Sequence, residues 1–268
     1  MSNGSGNYPL ERRDGEIERL HRQGAAMATD CATMLERIGV AEGWRCLDLG
    51  CGPRGITDLL SARVGASGHV VGLDADPVFV AHGRESAAAN TEFVQGDAYG
   101  AALPAGSFDL VHLRFVASTA GEPQKLLREA IRLAKPGGIV ALQEPDMATL
   151  NCYPPHPAWD ALRAALIGAF AAVGSNISLG RELFALARAA GLSAVQYRPF
   201  LIGVRAGDPI ADYLPSTVES LRGTVLGQRL MSESALDAAL ALCRAHLADP
   251  GTVFTMYTVA QVWGRTPP

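Results

Sequence analysis

The sequence predicts an α/β fold in which a largely parallel sheet is covered by helices on both faces. Three observations carry that expectation. Short apolar runs alternate with helix-period stretches through residues 45–143, the pattern of strands joined by helical crossovers. A glycine-rich turn, Gly50-Cys51-Gly52, stands between the first run and the first such stretch. Acidic residues, Asp74 and Asp97, stand at or just past the ends of the second and third runs, and the carboxyl ends of parallel strands are where such sheets bind ligands.

The elements follow in order. Residues 1–9 read as a tail. Apolar residues from Ile17 to Ile38 recur at helical spacing over 14–38, and Gly39 is placed to end that helix as a left-handed cap. Strands are expected at 45–49, 69–73, 91–95, 108–113 and 139–143. Helices are expected at 56–64, at 77–89 with Pro77 in the first turn, and at 123–134, closed by the turn Lys135-Pro136-Gly137-Gly138. Three prolines within 151–157 argue against regular structure there. Helices follow at 159–173 and 179–190, then a strand at 194–204. Two helices near 209–222 and 234–247 precede a closing strand at 252–263.

Composition narrows the function classes. A chain of 268 residues, 48% of them hydrophobic, can build one large core, and single cores stop growing near this length. One domain is expected: a helical lid at 10–40, a binding core at 41–205, a helical insertion at 206–250 and a final strand at 251–268. The net charge of −4, with no basic cluster longer than Arg12-Arg13, argues against a nucleic-acid partner. Five cysteines with no C-x-x-C pair point to reduced thiols in a cytoplasm, not to disulfides or structural zinc. No metal-ligand spacing stands out. No apolar run approaches a membrane span, and no apolar signal core follows Met1.

The chemistry centres on Leu47-Asp48-Leu49-Gly50-Cys51-Gly52-Pro53-Arg54-Gly55. Glycines at a strand-to-helix turn permit positive φ and close approach of backbone to a ligand, and the helix start offers free N–H groups. Asp74 can accept from both hydroxyls of a ribose. Asp97 can accept from an adenine amino group. A G-x-G turn alone also fits a dinucleotide site.

The successive segments LDLGCG, VVGLDAD, FVQGDA, FDLVHLR, LAKPGG and ALQEPD resemble, in order and spacing, the motifs of class I methyltransferases. The resemblance covers residues 10–205 and is nearest to the branch that methylates small molecules, often in bacterial secondary metabolism. It implies a Rossmann-like, doubly wound, seven-stranded, mostly parallel sheet with an antiparallel final hairpin, and S-adenosylmethionine as cofactor. It implies methionine-end contacts at Asp48 and Gly50, ribose contacts at Asp74, and adenine contacts at Asp97 and Ala98, with Gly52 and Ala75 also in the cofactor site. Arg114 is expected to line the same pocket, and Tyr8 to fold over it. One departure stands out: Arg54 takes the usual third-glycine position, with Gly55 one place late. Its side chain is expected to point out of the turn.

The implied reaction is displacement at the sulfonium methyl by an O, N or C atom of a small organic acceptor. Where a base is needed, Glu144, His112 and His156 are the candidates. A dimer through the 206–250 segment is the competing reading to an acceptor lid. Three other functions remain open: methylation of RNA or protein, a nicotinamide oxidoreductase, and a non-methylating enzyme that keeps the fold.

Overall fold

A computed structural model describes residues 16–119 and 121–268. A seven-stranded sheet organises the chain. Its strands are β1 (Arg45–Leu49), β2 (His69–Asp74), β3 (Thr91–Gln95), β4 (Phe108–Arg114), β5 (Ala134–Asp146), β7 (Ser193–Phe200) and β10 (Thr258–Arg265), in the spatial order β3-β2-β1-β4-β5-β10-β7. β1 pairs in parallel with β2 and β4, and the β2–β3 and β4–β5 pairs are also parallel. β10 runs antiparallel to both β5 and β7. The expected doubly wound, mostly parallel sheet is therefore present, and the order reverses between β1 and β4, where ligands of such sheets sit.

Both faces are covered. On one face Cys46, Leu110, Ala141 and Val259 pack under α2 (Ala28–Ile38), α3 (Thr57–Val64) and α6 (Pro157–Ala172). On the other, Leu47, Val111, Val140 and Ala260 pack against α5 (Pro123–Leu133) and α7 (Leu183–Ala189). Successive residues of a strand point to opposite faces, so one strand supplies both cores. Another crossover helix, α4 (Pro77–Glu85), starts at Pro77 and is capped by Asp76, whose side chain accepts from the Val78 amide at 2.9 Å.

Several boundaries differ from the sequence expectation. The N-terminal helix is two helices, α1 (Glu16–Ala26) and α2, interrupted at Met27, whose side chain is buried in the core. Gly39 does cap α2, at φ 80. The Lys135–Gly138 turn lies inside β5 as a bulge, with Gly137 at φ 71 and the β4 register jumping from Ala134 to Ile139. Residues 151–157 do contain a strand, β6 (Asn151–Tyr153), ending just before Pro154. It joins β8 (Gly203–Arg205) and β9 (Val253–Thr255) in a second, antiparallel sheet of order β6-β9-β8. The single strands expected at 194–204 and 252–263 are thus each divided between two sheets.

The 206–250 segment folds as α8 (Tyr213–Ser220), α9 (Arg222–Gly227) and α10 (Glu233–Leu247). Leu214, Val218, Val225, Leu236, Leu240 and Cys243 are buried in the same core as Trp159, Leu162 and Leu166 of α6. Arg244 bridges Asp212 and Glu219, and Arg222 pairs with Asp237. These ions are partly exposed and hold geometry more than stability. Among the described residues, no helix is long and apolar enough to cross a membrane.

Candidate active site

A cleft of about 1110 Å³ opens at the carboxyl ends of β1, β2 and β4. Its first half is built by the glycine turn. The Gly50 and Cys51 amides both donate to the Leu73 carbonyl, at 2.7 and 3.0 Å, which pins the turn to β2. The Gly52 amide donates to Asp74 Oδ2 at 2.7 Å, and the Asp76 amide to Asp74 Oδ1 at 2.9 Å. The Ile56 amide donates to Asp48 Oδ2 at 2.8 Å. Burial pushes the Asp74 carboxyl up from its ordinary range, against the two amides that favour its charged form; Asp76 and Asp48 push it further up. Asp48, Asp74 and Asp76 all face the cleft, so this end suits a ligand carrying positive charge.

Asp48, Gly50, Gly52, Asp74, Ala75, Asp97, Ala98 and Arg114 are brought together here, as lining of one cavity. Asp97 is exposed and accepts from the Tyr99 amide at 2.9 Å. Arg114 donates through Nη2 to the Gly55 carbonyl at 3.3 Å and so braces the turn. Arg54 reaches Asp58 of α3 at 2.6 Å and the Ser86 hydroxyl. Gly55, at φ 54, supplies the left-handed residue that the turn needs. Burial and the nearby Asp48 and Asp74 hold the Cys51 thiol protonated, which fits a packing residue better than a nucleophile. Tyr8 lies outside the described residues.

The second half of the cleft is apolar and aromatic. Phe115 follows β4, Met147 follows β5, Leu166 and Phe170 come from α6, Tyr213 from α8, and Tyr257 precedes β10. Tyr257 is buried, with ring centroids 6.0 Å from Phe115 and 5.7 Å from Tyr213. Its hydroxyl accepts from Gln23 Nε2 of α1 at 3.0 Å. Phe115 sits at φ 59, a costly conformation for a bulky residue of the kind that gathers at functional sites. The sequence reading missed Phe115 and Tyr257. Lone aromatics at strand ends carry no periodic signal; the clue present was their place beside the glycine-turn strand and the closing strand.

The three candidate bases are corrected by their surroundings. Glu144 is fully buried, and its carboxylate accepts the amides of Val116, Ala117 and Ser118 at 3.1, 2.9 and 3.1 Å. It shapes the loop after β4 and does not line the cleft. Burial pushes its carboxyl up to about 7, against those donors. His112 is also fully buried, with Nδ1 2.7 Å from Asp48 Oδ1 and Nε2 2.8 Å from Gln143 Nε2. Both ring nitrogens are engaged inside the core, away from the acceptor half. His156 is the N-cap of α6: its Nδ1 accepts from the Ala158 amide at 3.1 Å, and its ring stacks on His246 at 4.6 Å. The cause is common to all three. Residue type and place along the chain were visible in the sequence; side-chain direction was not.

Residues 47–142 match the family model of a methyltransferase domain. That stretch contains the glycine turn, Asp74, Asp97 and Arg114, already joined in the cleft. By sequence, this part of the chain is a methyltransferase domain. Among curated relatives, the demethylmenaquinone methyltransferase of Lactococcus lactis is 36% identical over 126 residues, covering 46% of this chain and 50% of that protein. The ubiquinone/menaquinone biosynthesis C-methyltransferase of Idiomarina loihiensis is 32% identical over 140 residues, covering 49% of this chain and 53% of its own length. The chain spans about half the length of the curated relatives it matches. Among solved structures, a methyltransferase-like protein of Bacillus halodurans superposes with TM-score 0.60 at 18% identity, over 88% of this chain and 99% of that one. The chain shares its fold with this structure. The helical segment 206–250 lies outside the matched stretch.

Proposed function

We propose that the protein transfers a methyl group from S-adenosylmethionine to a small, flat, largely apolar acceptor, a natural-product or quinone-like intermediate. One observation carries the reading: the acidic half of the cleft, at the glycine turn, opens into an aromatic chamber within the same cavity. The acidic half fits the cofactor. Asp74 stands ready for the ribose hydroxyls, and beyond Gly52 there is open space where any Cβ would point. The cofactor, when bound, supplies an electrophilic methyl on sulfur. The chain's own residues hold it, exclude water and orient the acceptor.

The chamber also constrains the acceptor's chemistry. Its lining offers aromatic faces and hydroxyls from Thr119, Tyr213, Thr217 and Tyr257, while Glu144, His112 and His156 stand outside it. An acceptor that is already nucleophilic, such as an electron-rich ring carbon or an amine, suits that lining better than one needing a carboxylate base. The relative from Idiomarina loihiensis is by name a C-methyltransferase, in keeping with a carbon acceptor.

The deciding experiment has two steps. Titration with S-adenosylhomocysteine should show binding where NAD shows none. Incubation with methyl-labelled cofactor and a metabolite extract, beside RNA, should place label in small molecules. Nicotinamide binding without a response to S-adenosylhomocysteine would defeat the reading. Asp74→Ala should weaken S-adenosylhomocysteine by roughly ten- to a hundredfold, the worth of hydrogen bonds to a charged acceptor. Isothermal titration on the folded variant measures it.

The insertion is proposed as an acceptor lid, since Tyr213 and Thr217 of α8 reach the chamber. Tyr213→Ala should alter acceptor KM or selectivity about tenfold, with S-adenosylhomocysteine affinity within about twofold, because it deletes aromatic contact only at that end. A changed oligomeric mass at unchanged selectivity would assign the segment to subunit contact instead.

A further inference from the structure

Five strands carry a polar residue at the same height on the face under α2. Asp48, His112, Gln143, Gln261 and Arg198 belong to β1, β4, β5, β10 and β7. Three neighbouring pairs are in direct register: Asp48 with His112, Gln143 with Gln261, and Gln261 with Arg198. The first four are almost entirely buried. Hydrogen bonds run unbroken along the row. Arg198 Nη1 donates to Gln261 Oε1 at 2.7 Å, and Gln261 Nε2 donates to Gln143 Oε1 at 2.9 Å. Gln143 Nε2 meets His112 Nε2 at 2.8 Å, and His112 Nδ1 meets Asp48 Oδ1 at 2.7 Å.

The row has a direction that elementary donor and acceptor chemistry dictates. A guanidinium can only donate, and a backbone carbonyl can only accept. Arg198 therefore holds the Gln261 oxygen toward itself. The Asp30 carbonyl of α2, 3.1 Å from Gln261 Nε2, holds the amide nitrogen the other way. With Gln261 fixed, its N–H must meet an oxygen, so Gln143 turns Oε1 toward it and Nε2 toward His112. His112 Nε2 then has to accept. The ring proton consequently sits on Nδ1 and is donated to Asp48. Cys31, 3.4 Å from both Gln143 side-chain atoms, can donate or accept and imposes nothing. Arg198 is itself anchored to α2 by the Asp30 carboxylate at 2.5 Å.

We propose that this row is a polarised relay in which Arg198 and the Asp30 carbonyl, acting through Gln261 and Gln143, fix the His112 proton on Nδ1 and so hold Asp48 as an acceptor at the cofactor turn. Asp48 then accepts from His112 on Oδ1 and from the Ile56 amide on Oδ2. It faces the cleft with its orientation set from the far edge of the sheet. Four strand spacings separate its ends, roughly 19 Å. His112, Gln143, Gln261 and Arg198 are positioning residues. The inference rests on the methyltransferase reading only for what Asp48 receives; the relay itself stands on geometry.

Gln261→Glu reverses the polarity at nearly constant shape. Its acceptor-only carboxylate still suits Arg198, but it faces Gln143 Oε1. The Gln143 amide must turn, presenting oxygen to His112, whose Nε2 must then carry a proton. Long-range 1H–15N correlation on protein labelled with 15N-histidine reads the site of that proton, and the His112 signal is identified by its loss in His112→Gln. The wild type should show a ring protonated on Nδ1 alone. Gln261→Glu should show a proton on Nε2, with S-adenosylhomocysteine binding about tenfold weaker, as expected when a hydrogen bond to a charged group is lost.

A wild-type ring protonated on Nε2 would overturn the relay, and so would an unchanged ring in Gln261→Glu. A switched ring with unchanged S-adenosylhomocysteine affinity would overturn the positioning role. Should Gln261→Glu not fold, the wild-type spectrum still decides the polarity. The proton sites in Arg198→Met then decide the relay: Nδ1 alone, as in the wild type, rules Arg198 out, and appearance of the Nε2 form supports it. Failure of the wild type to bind S-adenosylhomocysteine would count against the methyltransferase reading and leave the Nδ1 assignment standing.

Discussion

Gly55→Ala is expected to destabilise the protein by about 3 kcal/mol and to remove measurable S-adenosylhomocysteine binding. The added Cβ would lie 2.0 Å from Asp48 Oδ2 and 2.8 Å from the Cys51 carbonyl, at a residue whose φ is 54. Asp48 has no room to yield, because His112 and the Ile56 amide hold both its oxygens. Left-handed backbone alone costs about 1–2 kcal/mol for a residue with a Cβ, and the backbone clash adds to it. Gly52→Ala is the matched control. Its Cβ meets no atom within 4 Å, although φ is 59, so the fold should lose only about 1 kcal/mol. Its effect should fall on ligand binding, since that space is where the cofactor is proposed to lie. Thermal unfolding and isothermal titration on both variants separate the two cases. Equal losses of stability would show that the two glycines do the same job.

Glu144→Leu should cost about 4 kcal/mol. It leaves the amides of Val116, Ala117 and Ser118 buried with no acceptor, and each such donor costs about 1–3 kcal/mol before the loop relaxes. Glu144→Gln should cost less, because one oxygen remains. The pH dependence follows from the carboxyl's rise to about 7 from an ordinary 4.5. Between those values the folded protein binds the proton more tightly than the unfolded chain does. Stability from this group is therefore complete below pH 4.5 and is lost as pH rises through about 7. Denaturant unfolding from pH 4.5 to 8 should show the advantage of wild type over Glu144→Gln shrinking as pH rises. An advantage that grows over that range would mean that the three amides outweigh burial and hold the carboxylate charged.

The order of strands and helices through residues 45–143 was legible because alternation of period is a local property, and the glycine turn named its own place at a strand end. Asp74 and Asp97 followed from that register, and Arg114 from the resemblance to class I methyltransferases. The second sheet was not legible. Asn151–Tyr153 is a three-residue strand beside prolines, and its partners lie about 50 and 100 residues away, so nothing nearby marks it. The break at Met27 was hidden for a related reason: the apolar spacing runs from Ile17 and Leu20 through the junction to Cys31 and Ile38, although the buried side chains begin only at Met27. Glu144, His112 and His156 show the limit at the site. They were found as polar groups within a strand, at a strand's mouth and in a loop, yet each turns toward backbone or core partners. The chamber was invisible as a unit because Phe115, Tyr213 and Tyr257 meet only after the sheet has formed.

The place of β10 governs how the molecule can be made. It lies between β5 and β7, although more than a hundred residues of chain separate it from β5. Until residue 265 has been synthesised, β5 and β7 have no shared neighbour, and both present unpaired backbone edges. At about 5–20 residues per second on a ribosome, that gap stays open for roughly 10 s after β5 emerges. Tyr257 of the chamber and Gln261 of the buried row arrive with the same strand. A nascent chain halted before this point would hold the glycine turn and most of its helices, yet would present the open edge of β5 and an unpaired β7 to chaperones or to other chains. Ribosome-stalled chains ending before and after residue 265 should therefore differ sharply in protease resistance.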